Sequence, residues 1–372
     1  MNQETYNVVV LGGGGAGLNI AGLLAENVGK VCLIDSKADL LNVSFHTLGS
    51  FIDRERHGLS EKIIASYITE LCFHSKHIHT SKKGKAFILN KTQIHRELLE
   101  RAISRNVAVK TKTTIREFSR NEDGTINSII DAQGNIYKAK IFIDATGVAG
   151  FFSKKLGLQE TKTKIAAGLE YNVLYHGLQQ QIHLFIGRDF RGGYGWVFPL
   201  GQSRAILGYG TIGLANTASM KNTLDRICTI EPIKALVTKD NDKPYGGTIP
   251  ITDVKTRFVY KNVLCVGDSV SQVHPLVGEG YRFILEAGLI AAPYIIKALE
   301  RDNLEDLLGY QEEWKRVFYE SYRKGVLRQK IAEFASKSDF LSDVIAILVK
   351  TLSDGRFQRA IAGSVKNFPS PS

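Results

Sequence analysis

The chain has 372 residues, 44% of them hydrophobic, and carries 48 lysines and arginines against 37 acidic residues, a formal net charge of +11. This length and apolar content exclude a disordered or fibrous chain and predict two domains. The positive charge favours an anionic partner, but nucleic acid is not expected, because the basic residues are dispersed and accompany no nucleic-acid module. The sequence shows neither a signal peptide nor an apolar run long enough for a spanning helix, so we expect a cytoplasmic protein.

The first predicted elements form a strand, turn and helix typical of dinucleotide binding. An apolar strand at residues 8–11 runs into a glycine-rich turn and an apolar helix at 18–25, and a second strand at 31–34 ends in an acid. The turn lets a pyrophosphate approach the helix amides, and the acid can bind ribose hydroxyls. The residues predicted to bind the nucleotide here are Gly12, Gly14, Gly15, Ala16, Gly17, Asp35 and Ser36.

The next segment is predicted to leave the parallel sheet and return to it. A connection at residues 36–58 precedes a predicted helix at 61–71, a hairpin around 82–85 and a helix at 92–105. Strands are predicted at 108–112, 114–118, 126–131 and 136–139, followed by a buried parallel strand that ends in Ala145, Thr146 and Gly147. We expect these three residues to lie beside the nucleotide.

From residue 163 the pattern changes to longer alternating strands, which predicts a sheet-rich domain inserted into the first one. A strand at 263–268 then returns to the nucleotide-binding domain, and a long helix follows at 279–299. We therefore predict a nucleotide-binding domain at 1–162, a substrate domain at 163–260, a return at 261–300 and a helical C-terminal region at 301–372.

The return strand favours FAD over NAD. An acid at the end of this strand can accept a hydrogen bond from the FAD ribitol. The N-terminus of the helix that follows can stabilise negative charge that develops on a reduced flavin ring. The residues concerned are Gly267, Asp268, Pro275, Gly278, Glu279 and Gly280.

Residues 12–280 resemble the flavoprotein superfamily of hydroxybenzoate-hydroxylase type, and within it the geranylgeranyl reductase family. Besides the glycine elements, Tyr-Gly-Trp-Val-Phe-Pro at 194–199 with Gly-Tyr-Gly at 208–210 looks like the family's substrate-site signature, and Gly-Gly-Thr-Ile-Pro at 246–250 looks like another family element. The resemblance implies an α/β fold with a Rossmann-like FAD-binding domain, an inserted antiparallel β-sheet substrate domain and a helical C-terminus.

The resemblance also implies that the chain reduces carbon–carbon double bonds of a prenyl, or isoprenoid, substrate. It implies NADPH or a reduced ferredoxin as the candidate electron donors. The residues that it places at the substrate are Tyr194, Trp196, Phe198, Pro199, Gly208 and Gly210.

The chain departs from the family pattern in two places. Where the family usually has an arginine for the FAD pyrophosphate, this chain has Lys91, which keeps the charge but loses the bidentate fork. The loop at 42–49 lacks the Cys-Gly often found in the family, which leaves the proton donor open. The candidates are His46, His274 and Tyr281, because their segments should approach the flavin and a histidine titrates near neutral pH.

Other functions remain open at this point. Aromatic flavin hydroxylases typically show Gly-Asp-Ala-Ala-His and Ala-Asp-Gly where this chain has Gly-Asp-Ser-Val-Ser at 267–271 and Ala-Thr-Gly at 145–147. Flavin halogenases share a similar tryptophan motif, but their second-site lysine motif has no clear match here. A non-redox carotenoid cyclase, and a protein that binds a flavin or an isoprenoid without turnover, are further alternatives.

The cysteines and histidines predict neither disulfides nor a metal site. The four cysteines are scattered and form no Cys-x-x-Cys pair, so free thiols are expected. His74, His77 and His79 follow Cys72, but His77 and His79 simply alternate on a predicted strand and the full spacing of a metal site is missing.

A basic stretch at residues 314–330 predicts an amphipathic helix with Val317, Phe318, Tyr322 and Val326 as its apolar positions. Such a helix suits either peripheral contact with an anionic membrane or ordinary packing on the core, and core packing is the better-supported interpretation.

Overall fold

The structure is a computed structural model that describes residues 2–158, 164–190, 192–212, 217–240, 243–252 and 257–362. Its strands, in chain order, are β1 (Gln3–Leu11), β2 (Val31–Ile34), β3 (Thr47–Ser50), β4 (Ile64–His74), β5 (His79–Asn90), β6 (Ala108–Lys110), β7 (Ile115–Arg120), β8 (Ile126–Asp131), β9 (Ile136–Asp144), β10 (Ile165–Tyr175), β11 (Gln181–Phe185), β12 (Gly193–Gly201), β13 (Arg204–Ile212), β14 (Val237–Thr238), β15 (Tyr245–Pro250), β16 (Val259–Tyr260) and β17 (Val263–Cys265). Its helices are α1 (Gly15–Leu24), α2 (Lys91–Ser104), α3 (Phe151–Lys155), α4 (Thr217–Ile227), α5 (Ile233–Leu236), α6 (Tyr281–Glu300), α7 (Leu308–Ala335), α8 (Asp339–Thr351) and α9 (Asp354–Ala362).

The first sheet has a parallel centre. Its strands run in the order β16-β17-β9-β1-β2-β6, and β7 and β8 extend it from β9 as an antiparallel excursion. The central strands are continuous apolar runs because both of their faces are covered. Helices α1, α2, α6 and α7 contribute to this core.

The second sheet runs in the order β14-β10-β13-β12-β11-β4-β5-β3, and β15 pairs with the first half of β10 on the same edge as β14. It therefore combines strands from residues 47–90 with strands from residues 165–250. Strands β11 and β4 pair in parallel and join these two groups. The predicted boundary between residues 162 and 163 lies outside the described residues.

The predicted helix at 61–71 is wrong. Only residues Glu61–Ile63 form a 3-10 turn, and β4 begins at Ile64. Along β4, Ser66 and Ile68 are buried while Tyr67 is 51% exposed, which is the period of two that a strand requires. The β-branched and aromatic residues of this segment favour a strand once a partner such as β5 is present.

The basic stretch is part of α7. Of its predicted apolar positions, Phe318 and Tyr322 are buried in the first core, Val317 packs against it and Val326 is half-buried. Trp314, Phe318 and Tyr322 are buried in the first core, so the core-packing interpretation is correct for this face. No helix in the described ranges is long and apolar enough to cross a membrane. The last ten residues, 363–372, lie outside the described part of the chain.

Candidate functional site

The carboxyl-terminal edge of the first sheet gathers the predicted cofactor residues. The last residues of β1, β2, β9 and β17 are in register with their neighbours. The turns that leave these strands therefore emerge side by side, beginning at Gly12, Asp35, Ala145 and Val266. Parallel register alone brings together segments that are far apart in the sequence.

The glycine turn is closed on its inner side and open toward the pocket. Gly12 has a φ of +103°, and a Cβ on it would lie 2.3 Å from the Ala145 carbonyl oxygen, while a Cβ on Gly17 would lie 1.8 Å from the Gly12 carbonyl oxygen. Gly14 faces open space instead, and as the N-cap of α1 it makes no side-chain capping bond. The first amides of α1 are therefore available to an anion.

Asp35 braces this turn from the second strand. Its carboxylate accepts hydrogen bonds from the Gly13 amide at 2.6 Å and the Lys37 amide at 2.7 Å. The neighbouring Ser36 is exposed.

A cavity of about 320 Å³ is lined by both sheets. The predicted residues that line it are Gly14, Gly15, Ala16, Lys91, Ala145, Gly147, Tyr194, Trp196, Phe198, Asp268, Gly278, Glu279, Gly280 and Tyr281. Those that do not line it are Gly12, Gly17, Asp35, Ser36, His46, Thr146, Pro199, Gly208, Gly210, Gly267, His274 and Pro275. The two glycine elements and the aromatic segment thus meet at one pocket.

Lys91 and Asp268 hold opposite charges on this pocket. Burial lowers the pKa of Lys91 to about 8, and the negative charges of Asp268 and Glu170 oppose that shift. Burial raises the pKa of Asp268 to about 6, a rise that the Lys91 charge limits. Both ionised forms are under-solvated, so polar or charged groups of a ligand would stabilise them.

Thr146 and Gly267 support the pocket from behind. The Thr146 hydroxyl donates to Asp144 at 2.6 Å and accepts from the Phe151 amide at 2.8 Å, so its side chain is already engaged. Gly267 has a φ of +71°, and a Cβ on it would lie 3.0 Å from the Ala16 Cβ, so the return strand passes directly against α1. These residues shape the site without facing it.

Glu279 is a buried connector between the second sheet and α6. Its carboxylate accepts hydrogen bonds from the Ser50 hydroxyl at 2.6 Å and the Phe51 amide at 3.0 Å, and it pairs with Arg282 at 2.9 Å. Gly280, the N-cap of α6, makes no side-chain capping bond. The α6 amides, like those of α1, therefore open on the pocket.

The indole ring of Trp196, on β12, lies across the neighbouring strand β13. It is in register with Gly208, where a Cβ would lie 2.1 Å from the indole Cε2, and a Cβ on Gly210 would lie 3.1 Å from the indole Cζ3. The two glycines of the predicted signature therefore make room for the indole, which explains why they do not line the pocket. Tyr194, Trp196 and Phe198 present an aromatic wall.

The indole reaches Glu170, which the sequence reasoning missed. The Trp196 Nε1–H donates to Glu170 Oε1 at 3.0 Å, while the buried Oε2 has no protein partner among the described residues. Burial raises the pKa of Glu170 to about 8, and Trp196 and Lys91 oppose that rise. Glu170 lines the pocket as a mostly protonated acid at neutral pH. The available signal was a lone acid within the apolar run of β10.

Tyr281 lines the pocket and hydrogen-bonds to His95, a second residue that was missed. His95 Nδ1 donates a hydrogen bond to the Leu40 carbonyl oxygen at 3.1 Å, so His95 Nε2 accepts a hydrogen bond from the Tyr281 hydroxyl. Burial lowers the pKa of His95 to about 4 and raises that of Tyr281 well above its usual value. Both side chains are therefore neutral near pH 7.

The two predicted histidines lie apart from the cavity. His46 is exposed and packs edge-on against Tyr245, with ring centroids 4.8 Å apart. His274 is fully buried and stacks on Phe283 at 5.8 Å, where α7 comes close at Gly325. Burial lowers the pKa of His274 to about 4. Neither ring lines the pocket, so neither position suits a proton donor to a ligand there. The sequence-based expectation considered where the two segments run but not the direction in which the rings point.

The pocket fits FAD. The open Gly14, the uncapped start of α1 and the Lys91 ammonium group suit a pyrophosphate. Asp268 suits a polyol hydroxyl, and the uncapped start of α6 suits an electron-rich ring edge.

Comparisons with known proteins agree with this geometry. A family model described as lycopene cyclase protein matches residues 7–333. Digeranylgeranylglycerophospholipid reductase 1 of Methanopyrus kandleri is 26% identical over 360 residues, which cover 92% of this chain and 94% of the relative. A geranylgeranyl bacteriochlorophyll reductase-like protein of Thermoplasma acidophilum superposes with a TM-score of 0.86 at 20% identity and covers 97% of each chain.

A variant of HpxO from Klebsiella pneumoniae, solved in complex with FAD, superposes with a TM-score of 0.76 at 14% identity over 97% of this chain and 98% of that one. Together the comparisons confirm the predicted fold and the resemblance to geranylgeranyl reductases. The roles of individual site residues stay predictions.

Proposed function

We propose that this chain, which belongs to the lycopene cyclase protein family, uses FAD to reduce carbon–carbon double bonds in a prenyl lipid. The observation that carries the proposal is Glu170, a carboxylic acid that stays protonated beside the aromatic wall of the pocket. Hydrogenation of an isolated double bond needs a hydride and a proton. The relatives named as reductases of a geranylgeranyl lipid support this choice of substrate class.

We assign the pyrophosphate of FAD to the amides of α1 and to Lys91, a ribitol hydroxyl to Asp268, and the ring to the start of α6. When bound and reduced, FAD supplies the hydride. The turn residues Gly12 and Gly17 allow the close approach of backbone and pyrophosphate, and we assign Asp35 to the ribose hydroxyls.

Glu170 supplies the proton from Oε2. Trp196 donates to Oε1, so the unpartnered Oε2 is the atom that holds the proton and can transfer it to a substrate carbon. After transfer, the Trp196 hydrogen bond and the charge of Lys91 both stabilise the carboxylate. An alkene carbon is a weak base, so a desolvated acid without a competing protein acceptor is the appropriate donor.

The wall around Glu170 suits an apolar chain. Trp196, Tyr194 and Phe198 cover one side, and Phe45 and Ile249 also line the cavity. The Tyr194 hydroxyl is engaged with the Val277 carbonyl oxygen at 2.8 Å, so this ring presents its carbon surface to the pocket. For the electron donor we keep NADPH and a reduced ferredoxin as the two proposals to compare.

The test uses purified, flavin-loaded protein under anaerobic conditions. The flavin is reduced with dithionite, a geranylgeranyl ether lipid is added, and flavin reoxidation is followed together with the product mass. We expect reoxidation by the lipid and a gain of two hydrogen atoms for each bond reduced. Glu170→Gln should still bind and accept electrons but reoxidise slowly, whereas the exposed control Glu100→Gln should behave as the wild type. Replacing dithionite by NADPH or by reduced ferredoxin identifies the donor.

A second candidate is a non-redox cyclase, because the matching family model is described as lycopene cyclase protein and Glu170 can also start a cyclisation by protonating an alkene. Its product would have the mass of the substrate, and the flavin would stay reduced. Hydroxylation or halogenation of an added aromatic compound, with oxygen as the oxidant of the reduced flavin, would instead favour a hydroxylase or halogenase. Binding without any turnover would contradict an enzymatic role.

We further propose that the C-terminal helices bind the surface of an anionic membrane, where a prenyl lipid resides. Two exposed apolar stripes recur at helical spacing on α7 and α8, formed by Leu327, Ile331, Phe334, Phe340, Val344, Ile347 and Leu348. The exposed cations Lys330, Lys337 and Lys350 flank them. Apolar side chains with adjacent lysines suit insertion between anionic headgroups.

Sedimentation with phosphatidylglycerol vesicles tests this surface. We expect wild-type protein to sediment with these vesicles more than with phosphatidylcholine vesicles, and the double variant Phe334→Ser, Phe340→Ser to lose binding. Leu178→Ser is the control, since Leu178 is 62% exposed on the connection between β10 and β11. Equal binding by both variants would contradict the assignment to α7 and α8.

A further inference from the structure

One face of the second sheet collects a thiol and three imidazoles. Cys72 and His74 alternate on β4 and therefore share a face. Cys72 is in register with His183 of β11, and His74 is in register with His79 of β5. Paired residues point to the same side of a sheet, so all four side chains lie on one surface.

This surface is the one that faces away from the flavin pocket. On β11, His183 is followed by Leu184, which is in register with Trp196 of the aromatic wall. His183 is in register with Val197, which belongs to the core on the other face of the sheet. The cluster is therefore separate from the pocket residues described above.

Three of the four groups are close enough to share one ion. The Cys72 sulfur and one ring nitrogen each of His74 and His183 all lie within 4.8 Å of one another. His74 Nε2 is 3.0 Å from His183 Nδ1. In a tetrahedral zinc site, with bonds of about 2.0–2.1 Å to nitrogen and about 2.3 Å to sulfur, the ligand atoms stand roughly 3.3–3.8 Å apart. The distance of 3.0 Å between the two nitrogens is already close to that spacing.

The outer nitrogens of both imidazoles are held by further hydrogen bonds. The Tyr175 hydroxyl donates to the Leu178 carbonyl oxygen at 3.1 Å, so its oxygen accepts from His183 Nε2 at 3.1 Å. That leaves the lone pair of His183 Nδ1 facing the cluster. His74 Nδ1 is in turn 3.1 Å from His79 Nδ1. Metal-bound histidines usually have such a partner on the second nitrogen, which fixes the ring and its tautomer.

Cys72 and His183 are buried, while the exposed His79 leaves a route from solvent.

We propose that Cys72, His74 and His183 bind a zinc ion, with the fourth position taken by water or, after a ring rotation, by His79. One thiolate and two imidazoles are a ligand set that zinc accepts readily. On binding, the Cys72 sulfur forms a bond to zinc and releases its proton to solvent. The ion links β4 to β11 and so joins the two groups of strands from which the second sheet is built.

Zinc content of the purified full-length, FAD-loaded protein tests the proposal. After incubation with zinc sulfate and dialysis into metal-free buffer, mass spectrometry for metals should find about one zinc per chain in the wild type. Cys72→Ser and His183→Gln should each lose most of it. Cys228→Ser is the matched control, because Cys228 is also a free cysteine but lies on the segment after α4.

Two further measurements use the wild type and do not depend on the folding of a variant. Cobalt added in place of zinc should give absorption bands at longer wavelengths than those of the flavin, and zinc should raise the Tm relative to EDTA-treated protein. A wild type that keeps no stoichiometric zinc would overturn the proposal, and so would a Cys72→Ser, His183→Gln double variant that keeps it. In the first case the cluster is a chain of hydrogen bonds that ends at Tyr175.

Discussion

Replacing Glu170 by glutamine should stabilise the protein in a way that depends on pH. Burial raises the pKa of Glu170 from its ordinary value of 4.5 to about 8, so at neutral pH the folded protein holds a proton that the unfolded chain has released. The contribution of protonated Glu170 to the free energy of unfolding is therefore fully present below its pKa in the unfolded chain. It is lost as pH rises through its pKa in the folded protein. Glutamine is neutral at every pH and still offers an oxygen to Trp196, so the variant should escape this loss.

The size of the effect follows from the shift. Each pKa unit corresponds to about 1.4 kcal/mol, so between about pH 5 and about pH 8 the free energy of unfolding of the wild type should fall by about 3 to 4 kcal/mol relative to Glu170→Gln. Urea denaturation of flavin-saturated protein at several pH values measures this difference, with Glu100→Gln as the control for an exposed acid. Parallel stability curves for the wild type and Glu170→Gln would refute the buried-acid interpretation and weaken the case for Glu170 as proton donor.

Two further substitutions test the packing of the aromatic wall and the role of Lys91 in binding the FAD pyrophosphate. Gly208→Ala would place a Cβ 2.1 Å from the Trp196 ring, so we expect a loss of about 1–3 kcal/mol of stability and a changed tryptophan fluorescence. Gly22→Ala meets its nearest atom at 3.5 Å and should be tolerated, and equal effects of the two would contradict the packing role. Lys91→Gln should weaken FAD binding roughly tenfold to a hundredfold, as expected for the loss of a contact from a charged donor. Because the Lys91 pKa is about 8, wild-type affinity should fall as pH rises above that value. In titrations of FAD fluorescence, Lys62→Gln keeps Lys91 and should therefore bind FAD as the wild type does, with the same pH dependence.

The nucleotide-binding part of the fold was predictable because its signals are local. The turn that starts at Gly12, the acid at Asp35 and the glycines around Glu279 each sit next to a strong strand or helix pattern. The parallel register of β1, β2, β9 and β17 then brings them to one edge, which is a general property of this topology. The segment at 61–71 failed because its strand is stabilised by pairing with β5 and β11, and neither pairing can be read from the segment itself.

The chemically important contacts depend on strand order, which a single sequence does not state. Glu170 and Trp196 belong to strands that are not adjacent, and they meet only because Gly208, on the strand between them, has no side chain. The same limit applies to the thiol and imidazole cluster. The sequence shows Cys72 and His74 two residues apart, but His183 joins them only through the parallel pairing of β4 with β11. Both sites therefore depend on residues that are far apart in the sequence and are brought together by strand order. The pH dependence of Glu170→Gln and the zinc content of His183→Gln each test the contact that the sequence alone could not reveal.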